Sequence, residues 1–428
     1  MSERNILSTY SLLAVSANLR ETAINTEQTL DTSMLVSKES LINLERKRES
    51  NVEEMIGKEE GDSIYDLGAV SGATFDFPKA QPQHFGFILA YALGSCSSAA
   101  AGTGKKHTIT PITLDLDAAR SNPSFTAAIR YANQVVKKEF ASMFVDSFTA
   151  SFPKDDWVKL SATIKGTGKV TTNIYAETLT ALDNVTSLTL ATKGVQGADA
   201  PTRLSNMQRI IVNYPAGVWS DVAYSVVSAA TPALITITSP GGVGGSVSYK
   251  LLYIPTEAGW MTFPSRIVET PLRVSQLFVN IGGKWSGTAI SGGHNIGGEV
   301  KSFEWKFNNN LTPETTVGSG LSGYADRAKR TGRTQTLSLG REFRDYVFQQ
   351  HIDLNDDFVV YAIAEGAEFD TGHKYTVQVV FPQVRVLTAP IGVDANRLSE
   401  ALELQILEDG TYGSVVAYVK NLQATYAA

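Results

Sequence analysis

Residues 145–164 read VDSFTASFPKDDWVKLSATI. Two runs of alternating apolar and polar side chains, Val145–Phe152 and Trp157–Ile164, flank the turn-forming Pro-Lys-Asp-Asp. Period-two alternation interrupted by a polar turn predicts a pair of adjacent β-strands. The same pattern recurs outward in both directions. Thr108–Leu116, Phe125–Tyr131, Val300–Phe307, Thr334–Leu339, Tyr375–Phe381 and Val415–Val419 are short alternating runs bounded by Gly, Pro, Asn or Asp. From about Gly68 onward the chain therefore reads as mainly β.

Two segments break this rhythm with helical spacing. Gln83–Leu93 is one, ending at Gly94, and Arg341–Ile352 is the other, with Phe343, Val347 and Phe348 on one side. A strand precedes each helix, Ala73–Phe77 and Gln335–Leu339. A shift of 262 residues lays Thr74 on Thr336, Phe75 on Leu337 and Phe77 on Leu339, and carries Ser40-Leu41 onto Ser302-Phe303. Downstream, a shift near 255 pairs 145–152 and 157–164 with 402–407 and 415–419. The order of elements predicts two diverged copies of one unit, at 38–178 and 264–428. A rival match at a shift of 155, VDSFTASF (145–152) on VKSFEWKF (300–307), would scramble that order.

The remaining text divides into three parts. Residues 1–37, rich in Ser, Thr and Asn, read as an N-terminal arm. Half of the residues from Lys38 to Glu60 are charged, with both signs interspersed, as on a solvated loop or face. Residues 179–263 carry few charges and are dense in Ser, Thr, Gly and Val. WSDVAYSVV (219–227) alternates by twos, and residues 233–255 read as a hairpin around PGGVGGS. An inserted β-sandwich of immunoglobulin-like type is the expectation there.

Composition bounds the chemistry. The 428 residues carry 37 Lys and Arg against 43 Asp and Glu, a net charge of −6, which disfavours a dedicated nucleic-acid binder. One cysteine, Cys96, excludes an intramolecular disulfide framework and a cysteine-built metal centre. The longest apolar run, Phe85–Leu93, is far short of the roughly 20 residues of a spanning helix, so no membrane insertion is expected. No secretory signal is evident, and Leu93-Gly94-Ser95-Cys96 lies too deep in the chain for a lipoprotein cleavage site.

Catalytic and ligand motifs fail one by one. AGTGKKH (101–107) and IKGTGKV (164–170) lack the first glycine of a phosphate loop, where Ala99 and Thr163 stand. Both also lack the Ser or Thr after the lysine, and read as hairpin turns or hinges. SPGGVGGS (239–246) lacks dinucleotide spacing. Asp353, Asn355, Asp356 and Asp357 lack a calcium loop's glycine and closing glutamate, where Phe358 and Ala364 stand. The five histidines form no ligand pair, and no nucleophile elbow accompanies a serine. The expectation is a non-enzyme without cofactor or metal.

ALGSCSSAAAGTGKKHTITP (92–111), residues 122–169, VKSFEWKFNNN (300–310), HKYTVQVVFPQVRV (373–386) and the closing NRLSEALELQILEDGTYGSVVAYVKN (396–421) together resemble the tail tube, or major tail, proteins of long-tailed bacteriophages. The resemblance covers most of 38–178 and 264–428 and leaves the insertion outside. It implies two tail-tube-like β-sandwich units, each with one flanking α-helix, in a virion protein made in the host cytoplasm. It further implies rings that stack into the conduit for DNA delivery, with inner sheets joined into a barrel. Family members carry one such domain and form six-membered rings. Two domains per chain therefore imply a trimer of pseudo-sixfold symmetry, with a hexamer as the alternative. The implied partners are further copies of the chain, other tail proteins such as a tape measure and a terminator, and DNA in transit.

Within that picture, Asp115 and Asp117 share one strand face and are lumen candidates. Three chains at −6 each carry −18 per ring, which would let DNA slide without sticking. Mixed-charge loops at Lys38–Glu60 and Asn308–Arg333 are expected between subunits or rings. Their candidates are Arg46, Lys47, Arg48, Asn308, Asn309, Asn310, Arg327, Lys329, Arg330 and Arg333. The rival is a β-rich adhesin or carbohydrate-binding protein using Trp219, Trp260 or Trp285 as a ligand platform.

Overall fold

The computed structural model describes residues 8–54, 58–112, 122–131, 136–257, 260, 262–316 and 323–428. The chain divides into two compact units. The larger comprises Leu13–Ala127, Phe140–Lys169 and Pro264–Ala428, and the smaller comprises Met1–Leu12, Ala128–Glu139 and Val170–Phe263. Both are built almost wholly of antiparallel strands, so the chain is mainly β.

The elements that organise the larger unit are these, in chain order. The first part contains β1 (Asn43–Ser50), β2 (Ile64–Phe77), α1 (Pro82–Leu93), β3 (Gly94–Ala101), β4 (Gly104–Pro111), β5 (Val136–Pro153) and β6 (Lys159–Gly166). The second part opens with β7 (Val300–Asn308), β8 (Leu311–Glu314), β9 (Arg327–Arg330), β10 (Thr334–Glu342) and α2 (Val347–Leu354). It closes with β11 (Phe358–Asp370), β12 (His373–Thr388), β13 (Ile391–Asp394), β14 (Arg397–Ile406) and β15 (Val416–Asn421).

One sheet runs β1, β2, β6, β5, β7, β10, β14, and ends on the C-terminal part of β12 together with β13. Every neighbouring pair is antiparallel. A second sheet runs β3, β4, β15, the N-terminal part of β12, and β11. The long strand β12 thus belongs to both.

Within the first sheet a pattern occurs twice. Leu160 and Ala162 of β6 lie opposite Phe77 and Phe75 of β2, and α1 follows β2. Leu402 and Leu404 of β14 lie opposite Leu339 and Leu337 of β10, and α2 follows β10. The residues matched by the 262 shift therefore hold like places. The expected match of the last strands is corrected: β6 corresponds to β14, a shift of 242, because both lie beside the strand that precedes the helix. Val416–Asn421, expected to match 157–164, pairs instead with β12 and β4 in the second sheet. VDSFTASF and VKSFEWKF are neighbours rather than equivalents, with Phe148 opposite Phe307 and Phe152 opposite Phe303.

That contact is a seam between the two repeats. Phe148 stacks on Phe307 at 5.0 Å between ring centroids and meets Trp305 edge-on at 4.7 Å. Phe152 meets Phe303 edge-on at 5.6 Å. All five rings are buried, so alternation on both strands delivers one aromatic row to the core.

Helix α1 begins where the sequence favours a start. Pro82 takes the first turn, and the Gln81 backbone N–H donates to His84 Nδ1 at 3.2 Å. Gly94 ends it with φ +97°, a left-handed position that glycine tolerates. All twelve residues are buried. Helix α2 is shorter than expected. Arg341–Glu342 continue β10, because Arg341 is fully buried and pairs with Glu400 at 2.7 Å, Asp345 at 2.9 Å and Glu299 at 3.1 Å.

The N-terminal arm is also corrected. Leu12–Val15 and Thr32–Met34 pair as strands, and Leu13, Val15 and Met34 are buried. The polar residues around them are core residues with partners. Glu21 accepts from Ser124 Oγ, Thr126 Oγ1, Ser142 N and Ser142 Oγ at 2.6–2.8 Å.

The smaller unit holds two sheets around one apolar core that includes Leu188, Ile210, Val227, Ile235, Tyr249 and Leu251. Strands 175–182, 246–253, 207–213 and 219–221 form one sheet in that order. Strands 187–189, 234–237 and 224–227 form the other. The last and longest segment of this unit starts at Val170 rather than 179, and Tyr175–Leu182 is its first long strand. Residues 233–255 are not a hairpin, and 219–227 is not one strand. In each case the two halves lie in different sheets.

Removing a seam ring tests this architecture. Phe307→Ala is expected to lower the unfolding free energy by about 3–5 kcal/mol. Lys306→Ala, on the exposed face of the same strand, is expected to change it by less than about 0.5 kcal/mol, both read from urea unfolding.

Candidate assembly surface

Among the described residues the strand edges of the joined sheet stand out more than any chemical cluster. The joined sheet has two ends. At one end, beyond β2, Leu35–Ile42 leads into β1, with Ser37 N donating to Asp76 O at 2.7 Å and Asp76 N to Ser40 Oγ at 3.0 Å. At the other end lie Arg385–Thr388 of β12 and strand β13. Apolar side chains stand in solvent at both. Leu35 and Leu41 are 43% and 36% exposed at the first, and Leu387, Ile391 and Val393 are 52%, 45% and 73% exposed at the second. Such edges present unpaired backbone donors and acceptors to another strand.

The β1–β2 hairpin projects beyond the first end. Every residue of β1 is exposed or half-exposed, and so are residues 64–67 of β2. Asn51 closes it, its Oδ1 accepting from Asp62 N and Ser63 N at 3.0 Å. Arg46 pairs with Asp66 at 3.2 Å, both well exposed, which holds Asp66 below its ordinary range together with the Gly68 N–H. Lys47 and Arg48 sit beside it on the same strand.

The other basic and Asn-rich candidates are engaged inside the chain. Asn309 is fully buried and its Nδ2 donates to Ala92 O at 2.9 Å and Val145 O at 3.1 Å. Asn308 closes β7, and its Oδ1 accepts from Asn310 N at 2.8 Å. Asn310 has φ +51°, and its Nδ2 donates to Gly332 O at 3.1 Å. Arg327 pairs with Glu314 at 3.0 Å, and Arg330 donates to Asn122 Oδ1 at 3.2 Å. Arg333 donates to Ile112 O at 3.2 Å, and burial pushes its guanidinium down to about 10. Lys329 remains exposed. Asp115 and Asp117 lie outside the described residues.

The loops that resemble phosphate loops have other work. Ala101–Gly104 is the tight turn between β3 and β4, with Gly102 at φ +60°. In the glycine loop 239–246, Gly244 N and Gly245 N donate to Asp183 Oδ1 at 2.7 and 3.1 Å, so an internal carboxylate fills that cradle. Asp357 pairs with Arg385 at 2.7 Å, and Asp356 with His351 at 2.7 Å, at the end of α2. His294, Glu299 and Asp345 bring ligand atoms within 4.8 Å of one another, yet both carboxylates already bind Arg341. No helix among the described residues is long and apolar enough to cross a membrane. Of the tryptophans, Trp285 is buried, Trp260 lies beneath Lys137 Nζ at 4.7 Å, and Trp219 is 40% exposed beneath Lys250 Nζ at 4.2 Å.

The most perturbed carboxyl is one the sequence did not single out. Burial pushes Glu269 up to about 7, although its oxygens accept from Gln83 N at 2.7 Å and Leu422 N at 3.2 Å. It caps the start of α1 from a distant segment. Burial likewise drives His84 down to about 3. No protein family matches the chain, and no curated protein matches it either.

The Glu269 carboxyl makes stability depend on pH with a defined sign. Its folded value lies above its unfolded one, so its contribution is complete below pH 4.5 and is lost as pH rises through 7. The unfolding free energy is expected to fall by up to about 3 kcal/mol from this group across that window. Glu269→Gln should flatten that slope in denaturation curves taken at successive pH values.

Proposed function

We propose that this chain is a structural virion protein that assembles itself into stacked rings, the tail tube that conducts phage DNA into the host. The observation that carries this reading is the β5–β7 seam. One chain already joins two like four-stranded sheets edge to edge and leaves the two outer edges unpaired. The eight positions alternate in direction, so the last strand of one copy meets the first strand of the next antiparallel. Head-to-tail addition then continues the same sheet.

Strand arithmetic favours three chains. Eight strands per chain give 24 in a trimer. At about 4.8 Å between strands and a tilt of about 40°, a 24-stranded barrel has a backbone diameter of roughly 48 Å. That leaves room for a duplex once side chains line the wall. Six chains would double the diameter and enclose a bore far wider than the cargo needs. In this reading each repeat is a tail-tube-like β-sandwich with its flanking helix, and the smaller unit, with its four- and three-stranded sheets, is an inserted sandwich of immunoglobulin-like type. Tape-measure and terminator proteins are the expected further partners, and the net charge of −6 per chain keeps DNA from adhering.

One observation favours a second reading. Trp219 lies exposed on an edge strand of the smaller unit, as a sugar-binding platform would. An adhesin of this kind would remain a discrete particle. Negative-stain electron microscopy of the purified chain, with its native mass, separates the two. Stacked rings with an open centre and a ring mass of three chains are expected. Compact monomers at every concentration would overturn the tube.

A further inference from the structure

Residues 422–428, which follow β15, turn back into the core. Tyr426 and Ala427 are buried, Ala427 N donates to Ala17 O at 3.0 Å, and Ala428 N donates to Asn18 O at 2.9 Å. The Tyr426 ring packs against α1 at Gly86, where a Cβ would overlap it. The rest of the hold on this segment is polar. Tyr426 Oη accepts from Asn421 Nδ2 at 2.6 Å and donates to Gln83 O at 3.2 Å. Gln423 Oε1 accepts from Gln83 Nε2 at 3.1 Å, and Gln423 Nε2 donates to Asn18 Oδ1 at 2.8 Å and Thr32 Oγ1 at 3.1 Å. The segment belongs to none of the strands. An element held by one ring and side-chain hydrogen bonds can open while the sheets beside it stay folded.

Glu269 ties this segment to α1. Its Oε2 accepts from Gln83 N in the first turn of the helix, and its Oε1 accepts from Leu422 N at the start of the segment. The carboxyl is 5% exposed. Neutral, it fits that setting. Ionised, it holds a charge out of water that the two N–H donors do not fully offset, and lifting the segment returns the charge to solvent.

The neighbouring groups do not share this behaviour. Burial holds His84 of α1 neutral down to about 3 and lowers His107 of β4, which also feels Lys105. It raises Cys96 of β3 to about 11, and lifts Tyr375 of β12 and Tyr426 above the ordinary phenol range. Asp31, the other carboxylate acting on Tyr426, accepts from Ala17 N, Asn18 N and Thr32 Oγ1 at 2.6–3.0 Å. Arg266, on the same segment as Glu269, is exposed.

We infer that Glu269 is a proton-operated latch: protonated, it seats residues 422–428 against the start of α1, and ionised, it releases them while the sheets remain folded. The inference is independent of the ring assembly proposed above. Opening uncovers Gly86, Gln83 and the Thr32–Asn18 end of the N-terminal segment, so a change of one proton alters a surface of several elements.

Amide hydrogen exchange of the full chain, read by mass spectrometry and corrected for the intrinsic pH dependence of exchange, tests this. Glu269 titrates at about 7 when closed and at its ordinary 4.5 when open. Protection of 422–428 is therefore expected to fall by up to about 300-fold between pH 4.5 and 7.5 and then level off. Protection of the seam strand β7 should change far less over the same range. In Glu269→Gln the segment should stay protected throughout, since the amide cannot ionise. The inference is overturned if protection of 422–428 does not depend on pH, if it falls only in step with β7, or if Glu269→Gln shows the same fall. The first two outcomes are read on the unmodified chain, so they decide the matter even where the variant fails to fold.

Discussion

The structure depends on one constraint, the need of a β-strand's outward backbone groups for a partner. Within the chain, β5 meets that need for the first repeat by pairing with β7 of the second, from Pro153 opposite Ser302 to Ser147 opposite Asn308. The aromatic row Phe148, Phe152, Phe303, Trp305 and Phe307 makes this seam as dry as a domain core. Among the described residues nothing comparable covers the outer ends. Natural sheets usually blunt such edges with charge, proline or a covering element. Here β1 carries charge from Glu45 to Glu49 and Pro390 precedes β13, yet Leu35, Leu41, Leu387, Ile391 and Val393 still stand exposed along the two ends. In the proposed assembly these edges would add another copy, and the alternating direction of the strands keeps a head-to-tail junction antiparallel.

Much of this was legible in the sequence, and the parts that were not fail for physical reasons. The α1 stop at Gly94 could be read because such a terminus is local, and the helix expected from Gln83 begins one residue earlier, at Pro82. Phe75 and Phe77 could be matched to Leu337 and Leu339 because both pairs face the same core across two repeats. Residues 12–34 were misread because composition sees polarity and not pairing. Ser16, Glu21 and Thr32 are buried with hydrogen-bond partners, so a polar lead-in is in fact core. Arg341 misled in the opposite way, since an arginine next to helical spacing gives no hint that three carboxylates will bury it.

Partner choice was the least readable property. Alternation says that 234–237 and 246–253 are strands, but a period of two is blind to which strand lies alongside. Proximity favoured a hairpin, while the apolar faces of both runs are satisfied only from opposite sides of the core around Tyr249 and Ile235. The same blindness explains the assembly candidates. Asn309, Arg330 and Arg333 have the composition of an interface and do serve one, joining the two parts of the chain, while Arg327 pairs with Glu314 on the neighbouring strand. Arg46, Lys47 and Arg48 have the same composition and remain on the surface.

The repeat also bears on why such a chain would close rather than polymerise without limit. Head-to-tail interfaces yield a ring only when the rotation between successive units divides a full turn, and otherwise yield a helix. A single-repeat subunit leaves that rotation to weak contacts formed only on assembly. In this chain every second rotation is fixed covalently and by a buried aromatic seam, before any second copy arrives. If the intermolecular junction copies the internal one, the curvature of the ring is already set in the monomer, and three encounters rather than six complete it. In the proposed ring the entropy lost on association would be correspondingly smaller, so each junction would need fewer contacts than six separate subunits would.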